Sequence, residues 1–169
     1  MSFIKKKIFF IPKHLKIVLL FLIFFTPAVL AEKIIIPSYF GSIKWNKVNV
    51  RTGPGQQYPI KWEFHKKNLP IEIISEHENW LKMRYFDGEE GWVHKRLISK
   101  KRYVLIKGST QILRNKPDNL SNAVLIVENN VIAKLLKCKK NWCRITIDKK
   151  NGWILKNYLW GVYKKEILN

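Results

Sequence analysis

A motif that occurs twice is the strongest constraint on how this chain can fold. The stretch NWLKMRYFDGEEGWV has two tryptophans separated by an Asp-Gly turn, and NWCRITIDKKNGWI repeats the arrangement later in the chain. With an offset of about 62 residues, Trp80 aligns with Trp142, and Trp92 aligns with Trp153 once one residue is skipped. Repetition at this period predicts two copies of one small folding unit, which together use most of the chain.

Each copy is rich in β-forming residues and poor in helix signals. In the first copy, IEIISE and WLKMRYF alternate apolar and polar residues, as half-buried strands do. The Asp-Gly pair of DGEEG predicts a tight hairpin, and a one-turn 3₁₀ segment is expected after WVHKRLI. The second copy repeats this order as IAKLLKC, WCRITI and WILKNYL. Many short strands in about 60 residues predict an all-β fold of two small closed barrels.

The first copy resembles the bacterial SH3 domain. That family's pattern is N-V-R-x-G-P near the start, W-x-x-V in the middle and G-W-V before a closing leucine. The first copy contains VNVRTGPGQQYP and then NWLKMRYFDGEEGWVHKRLI. The second copy keeps Arg114, Pro117, Trp142, Gly152 and Trp153 but lacks the Gly-Pro turn and the Tyr-Pro. The resemblance implies two tandem SH3-like β-barrels, as in exported two-module proteins of Gram-negative bacteria.

The first 31 residues have the pattern of an export signal. Five lysines precede the uncharged run IVLLFLIFF, and TPAVLA follows it, which predicts cleavage after Ala31 and a periplasmic or secreted protein. The apolar run is shorter than the roughly 20 residues of a spanning helix, which favours cleavage over an uncleaved membrane anchor. The expected segments are a signal peptide 1–31, a lead segment 32–44, barrel 1 over 45–103, barrel 2 over 104–163 and a tail 164–169.

The predicted exported chain is strongly basic. Without the five lysines of the signal it has 27 basic and 12 acidic residues, a formal charge of +15. Outside the cytoplasm such a charge suggests electrostatic association with anionic envelope polymers or lipid headgroups rather than specific nucleic-acid binding. A solvated surface without a specific partner explains the charge equally well.

Two cysteines flank a predicted turn in CKKNWC. In an oxidising compartment Cys138 and Cys143 are expected to form a disulfide, because cross-strand neighbours lie about 4.5–5.5 Å apart. The first copy has Glu76 and Leu81 at the equivalent positions, so the bond is interpreted as a staple for the second copy. A redox-active pair is the alternative, although no thioredoxin-like motif accompanies it.

The repeated tryptophans and glycines are interpreted as structural. A tryptophan buries on the order of 200 Å², which is a large share of the core of a domain of about 60 residues. The glycines before the second tryptophan of each copy are expected to supply turn geometry. The residues assigned to the core and its turns are Trp80, Gly91, Trp92, Trp142, Gly152 and Trp153.

Ligand contacts are expected on the strand and turn surface. Strand alternation in VNVRTGPG turns Val48 and Val50 inward and leaves Asn49 and Arg51 on the other face. Aromatic rings beside a guanidinium suit peptide or sugar recognition. The alternative is that Arg51 stacks on a tryptophan and Tyr58 pins the loop. The candidate ligand-binding residues are Asn49, Arg51, Tyr58, Tyr85 and Trp92.

The sequence contains no recognisable catalytic or metal-binding constellation. His65, His77 and His94 fit no common metal spacing, and no G-x-S-x-G motif is present. We therefore expect a protein without cofactor, metal or enzymatic activity.

By resemblance, the leading hypothesis is a non-catalytic envelope module that engages peptidoglycan or an envelope protein. A regulatory adaptor for one envelope protein and a peptidoglycan hydrolase are the alternatives. The aromatic tail YLWGVYKKEIL is expected either to form a docking surface or to pack between the barrels.

Overall fold

Fourteen β-strands and two 3₁₀ turns make up residues 37–169, which are the residues described in the computed structural model. They belong to one compact unit, 35–169, and contain no helix long and apolar enough to cross a membrane. The predicted signal peptide and its cleavage after Ala31 lie outside the described residues.

Barrel 1 is built from the first seven strands. They are β1 Tyr39–Ile43, β2 Val48–Arg51, β3 Ile60–Phe64, β4 Pro70–His77, β5 Trp80–Arg84, β6 Glu90–His94 and β7 Ile98–Ser99. All pair antiparallel, in the order β3-β2-β6-β5-β4-β1-β7. A 3₁₀ turn is present at Lys95–Leu97, inside WVHKRLI rather than after it, and leads from β6 into β7.

Barrel 2 repeats this topology strand for strand. Its strands are β8 Tyr103–Ile106, β9 Gln111–Arg114, β10 Ala123–Val127, β11 Ile132–Cys138, β12 Trp142–Ile147, β13 Lys150–Leu155 and β14 Leu159–Trp160, in the order β10-β9-β13-β12-β11-β8-β14. A second 3₁₀ turn, Lys156–Tyr158, precedes β14. The predicted all-β fold with two tandem SH3-like barrels is confirmed. Leu97 ends the first 3₁₀ turn and Tyr158 ends the second, so these two residues are equivalent.

Aliphatic side chains fill the core of barrel 1. Val48 and Val50 are buried while Asn49 and Arg51 are half-buried on the other face, as the alternation predicts. The remaining core members are Ile43, Phe64, Leu69, Ile71, Ile73, Leu81, Met83 and Val93. Val104, Ile106, Leu113, Leu135 and Ile145 are among the equivalent core residues of barrel 2.

The assignment of the tryptophans to the core is wrong for three of the four. Trp80, Trp92 and Trp142 are half-buried on the outer faces of their strands, because alternation turns their neighbours inward. Trp153 is buried, with 9% of its surface exposed, and the Lys139 ammonium lies 5.4 Å from its ring centroid. The tryptophans therefore cover the sheets rather than fill the cores.

The glycines at equivalent positions of the two copies act through close packing rather than through turn geometry. Gly91 and Gly152 lie inside β6 and β13 and face the cores. A Cβ atom on Gly91 would lie 2.3 Å from Val50 Cγ1, and one on Gly152 would lie 2.6 Å from Leu113 Cβ. Neighbouring strands approach too closely for a side chain at either position.

The predicted segment boundaries shift at both ends. The lead segment over 32–44 contains β1, which pairs with β4 and β7 and is therefore part of barrel 1. Tyr103 opens the first strand of barrel 2 instead of ending barrel 1. The tail over 164–169 forms an isolated bridge from Leu168 to Cys138, so it belongs to barrel 2.

The aromatic tail packs between the barrels, which was one of its two expected roles. The Phe40 ring of barrel 1 lies 5.2 Å from the Trp160 ring and 4.6 Å from the Tyr163 ring. The Tyr163 hydroxyl donates to Glu72 Oε1 at 3.0 Å. This junction joins the barrels by side chains as well as by the short connection between β7 and β8.

The predicted disulfide between Cys138 and Cys143 is present across β11 and β12. The Cα atoms lie 4.1 Å apart, closer than the expected 4.5–5.5 Å. Cys138 directs its backbone N–H and C=O away from Cys143 and toward Leu168, so the two cysteines form the narrow kind of antiparallel pair.

Candidate functional site

A shallow groove of about 350 Å³, which we call groove 1, crosses barrel 1 between β2 and the 3₁₀ turn. It brings together two of the predicted ligand-binding residues with a tryptophan that was assigned to the core. Positive side chains line it, and no carboxylate does. Its principal residues are Asn49, Arg51, Trp80, His94, Arg96 and Leu97.

The equivalent position of barrel 2 has a groove of about 210 Å³, called groove 2. Arg114 and Trp142 take the places of Arg51 and Trp80, and Tyr158 takes the place of Leu97. The remaining positions are more apolar, since Ile112 replaces Asn49 and Leu155 replaces His94; these two also line groove 2. The arginine and tryptophan are thus the features common to both grooves.

The arginine of each groove holds the loop that follows its strand. Arg51 Nη1 donates to the Tyr58 carbonyl at 2.7 Å, and Arg114 Nη1 donates to the Ser121 carbonyl at 2.7 Å. A guanidinium has five N–H donors, so most of each group's capacity is left for a ligand. The predicted alternative had Tyr58 pin the loop and Arg51 stack on a tryptophan; in the structure the Arg51 guanidinium itself holds the loop through the Tyr58 carbonyl.

Trp80 and His94 form the aromatic side of groove 1. Their ring centroids lie 5.4 Å apart at an interplanar angle of 69°. His94 Nδ1 accepts a hydrogen bond from the Arg96 backbone N–H at 3.2 Å, which starts the 3₁₀ turn and orients the imidazole. An edge-to-face pair of this kind leaves the tryptophan held in one orientation.

Three predicted ligand-binding residues do not line groove 1. The Tyr58 ring packs over Gly53, where a Cβ atom would lie 2.3 Å from Tyr58 Cδ1. Trp92 lies on the outer sheet face with its ring 6.5 Å from that of His77. Of the five predicted ligand-binding residues, Asn49 and Arg51 therefore line groove 1.

Tyr85 lies apart from groove 1, at the end of β5. Its ring centroid lies 5.2 Å from that of Phe64 and 4.6 Å from that of Phe86. Burial, and then the negative charge of Asp87, raise the pKa of its phenol. This tyrosine therefore closes one end of the barrel 1 core.

Sequence reasoning missed His94, Arg96 and Tyr158 as groove residues. All three lie in or beside the 3₁₀ turns, which the structure folds back against the first tryptophan of each copy. The signal was present in the repeat, because the same offset that pairs the tryptophans also pairs the two turns. Within 37–169, no group of three or more His, Cys, Asp or Glu side chains is arranged to hold a metal ion.

Comparison with known proteins gives one curated relative and several solved structures. The chain is 25% identical over 128 residues to YrvJ of Bacillus subtilis strain 168, whose name provisionally assigns it to the N-acetylmuramoyl-L-alanine amidases. The match covers 69% of this chain and 24% of YrvJ, so the chain spans about a quarter of that relative.

The solved structures share low identity with the chain. NlpC1 from Trichomonas vaginalis is 15% identical with a TM-score of 0.36, covering 76% of this chain and 48% of NlpC1. An NlpC/P60 family protein from Bacillus cereus ATCC 10987 is 14% identical with a TM-score of 0.33, covering 72% and 55%. Scores of this size do not establish a shared overall arrangement.

The family comparison agrees with the repeat and with the two barrels. The family model described as the bacterial SH3 domain matches residues 44–100 and matches again over residues 107–161. Each match covers six of the seven strands of one sheet, leaving out β1 and β8, and together the matches cover well over half of the chain. The protein therefore belongs to the bacterial SH3 domain family, with two copies of the domain in tandem.

Proposed function

We propose that this protein is a non-catalytic, exported binding protein of the cell envelope whose two barrels engage peptidoglycan through grooves 1 and 2. The observation that carries the proposal is the recurrence of one Arg-Trp groove at equivalent positions of both barrels. Family membership supports it, and so does the relative whose name refers to cleavage at N-acetylmuramoyl-L-alanine.

The chemistry of the grooves suits a polymer of sugars and short peptides. A half-buried tryptophan offers an apolar face for a sugar ring or a peptide side chain. The free N–H groups of Arg51 and Arg114 match carboxylates or carbonyl oxygens of stem peptides. Both grooves are shallow, so each site alone is expected to bind weakly, and two sites on one polymer gain affinity through multivalency.

A binding role accounts for groove 1 better than a reaction does. Its lining contains no cysteine, serine or carboxylate that could act as a nucleophile or as an acid-base partner. His94 uses Nδ1 to accept the Arg96 backbone N–H, which fits a positioning role for this imidazole.

The direct test is co-sedimentation of residues 32–169 with purified sacculi across a salt series. We expect binding that weakens with salt but persists at about 0.5 M, where the Debye length is near 4 Å and long-range attraction is largely screened. Absence of binding at low salt, or complete loss with modest salt, would refute the groove proposal. Zymography on sacculi should show no clearing.

A matched pair of variants separates the groove from the overall charge. Arg96→Ala removes an exposed cation from the rim of groove 1, whereas Lys66→Ala removes an exposed cation that lines neither groove. We expect the first change to weaken sacculus binding several-fold more than the second. Equal effects would assign the binding to net charge.

A further inference from the structure

The C-terminal segment, residues 162–169, lies along the edge of barrel 2. Cys138 N–H donates to the Leu168 carbonyl at 2.8 Å, and Leu168 N–H donates to the Cys138 carbonyl at 3.0 Å. Arg102 Nη1 pairs with Glu166 Oε1 at 2.6 Å. Lys156 Nζ donates to the Glu166 carbonyl, and the Leu168 side chain packs against the barrel 2 core.

Each residue of barrel 2 that holds this segment has an equivalent in barrel 1. Glu76 pairs with Leu81 after a β-bulge, as Cys138 pairs with its partner cysteine after the same bulge. Lys95 opens the first 3₁₀ turn, as Lys156 opens the second. Tyr39 and Arg102 are the third equivalent pair. Tyr39 lies opposite Ile73 in barrel 1, and Arg102 lies opposite Leu135 at the same place in barrel 2.

In barrel 1 these equivalent residues border an open pocket of about 600 Å³. Lys95 Nζ and the Tyr39 hydroxyl both contact the Glu76 carboxylate, at 2.8 Å and 3.1 Å. The rest of the lining is mainly apolar, with Leu81 and Ile98 among its residues. The described residues of barrel 1 therefore leave open the place that the C-terminal segment fills in barrel 2.

The backbone at this pocket is an unpaired strand edge. Strand β1 pairs with β4 no further than Tyr39 opposite Ile73, although β4 continues to His77. Within 37–169, residues 74–77 have β5 on one side and no strand on the other. The shared register implies that Glu76 turns its N–H and C=O toward this edge, as Cys138 does, and such an edge accepts an added strand.

We propose that this pocket binds an extended peptide of a protein partner, added as a strand beside Glu76. The peptide would carry an acidic residue two positions before a large aliphatic residue, the pattern of Glu166 and Leu168 in the chain's own segment. Lys95 and Lys100 line the pocket and would supply the positive charge for the acidic residue, and the apolar lining would take the aliphatic one. This site lies outside grooves 1 and 2, so it adds a protein partner to the proposed function without depending on it.

The test is an NMR titration of ¹⁵N-labelled residues 32–169 with the synthetic peptide GVYKKEILN, the sequence of residues 161–169. Both sheets are complete within this fragment. We expect saturable shifts centred on Glu76, Lys95 and Ile98, with a Kd on the order of 0.1–1 mM for so short a segment. The control peptide GVYKKKIDN has lysine in place of the glutamate and aspartate in place of the leucine. It should produce no saturable shifts.

Three results would overturn the proposal. One is the absence of shifts, and another is shifts confined to barrel 2 around Cys138, which would mean exchange with the chain's own segment. The third is binding that appears only after residues 32–36 are removed, which would make those residues the occupant.

Variants test the same site without touching the grooves. Ile98→Lys places a charge in the apolar lining and should weaken the peptide at least tenfold, whereas Ile126→Lys changes an exposed isoleucine of barrel 2 and should not. If Ile98→Lys fails to fold, Lys95→Glu supplies the test, with the same expected loss. Unchanged peptide affinity in a folded variant would contradict the proposal. Sacculus binding should be retained in the Ile98→Lys and Ile126→Lys variants.

Discussion

The two barrels share one topology but secure the same place in different ways. In barrel 1, Glu76 and Lys95 form an exposed ion pair at the end of β4, and this pair holds the pKa of the Glu76 carboxyl below its usual range. In barrel 2, Cys138 replaces the glutamate and is bonded to Cys143, while Lys156 is buried beneath the C-terminal segment. A covalent link and a docked segment thus stand in barrel 2 where barrel 1 has a solvated salt bridge.

The outer sheet faces of the two barrels also differ, because barrel 1 has more ion pairs than barrel 2 among the described residues. In barrel 1, Glu90 lies between Lys82 and Arg84 and pairs with both, at 2.8 Å each. The equivalent of Glu90 in barrel 2 is Asn151, and the described residues of that barrel contain a single ion pair, Arg102 with Glu166. Barrel 2 lacks this network, so the comparison predicts that it depends more heavily on its disulfide and its segment, although each surface pair contributes little.

The largest expected effect is at Gly161, where the junction begins. This residue has φ +107°, and an added Cβ atom would lie 2.5 Å from the Tyr103 carbonyl oxygen. Gly161→Ala should therefore lower the free energy of unfolding by about 3 kcal/mol, from strain and collision together. The control is Gly108→Ala at φ +87°, with no atom nearby, which should cost about 1 kcal/mol in urea unfolding.

Removal of the disulfide should affect the barrels unequally. The bond closes a loop between cysteines five positions apart, for which chain entropy gives about 2 kcal/mol of stabilisation. Cys138→Ser with Cys143→Ser should therefore speed amide exchange in barrel 2 while leaving barrel 1 protected. Equal loss of protection in both barrels would mean that they unfold as one unit, against the comparison.

Acidification should loosen the C-terminal segment. Burial acts to raise the pKa of Glu166, but hydrogen bonds from Arg102 and the Tyr163 N–H, with the charges of Arg102 and Lys156, hold that pKa below its ordinary value of 4.5. A depressed carboxyl pKa stabilises the fold above the unfolded value, and this contribution is lost as pH falls through the folded one.

The loss should begin near pH 4.5 and amount to no more than about 1 kcal/mol. NMR resonances of Leu168 should shift in the same pH range. The Glu166→Gln variant should be less stable than the parent at neutral pH and lack this part of the pH dependence. A segment that stays docked unchanged in acid would contradict the role of the ion pair.

The smallest predicted effect is a gain. Lys137 stands directly opposite Arg144 on the outer face of barrel 2, and like charges in such a pair repel. Barrel 1 has Ser75 opposite Lys82 at the equivalent place. Lys137→Ser should raise the free energy of unfolding by about 0.5 kcal/mol at low salt, with the gain shrinking in 1 M NaCl. No change at low salt would show that this repulsion is already screened, and a loss of stability would contradict the prediction.

Local patterns in the sequence were sufficient to predict the fold. The repeat gave two barrels, alternation placed Val48 and Val50 inside, and the spacing of the cysteines gave the cross-strand bond. Each of these depends on neighbours within a hairpin or on one strand's alternation.

The candidate site depended on pairings between distant residues. Alternation in β5 left open which of its residues face the core, and the structure turns Leu81 and Met83 inward and Trp80 outward. Tyr85 was predicted to line the ligand groove with Arg51. Alternation within a strand does not show how far apart residues of different strands lie. The C-terminal segment joins residues 30 positions apart, Cys138 and Leu168, and no local pattern indicates that pairing.

The most direct test of the two-groove account is an NMR titration of residues 32–169 with soluble peptidoglycan fragments at about 0.3 M salt. The account predicts saturable shifts at Arg51 and Trp80 in barrel 1 and at Arg114 and Trp142 in barrel 2. Shifts scattered over exposed lysines that disappear as salt rises, or no shifts in either groove, would contradict it.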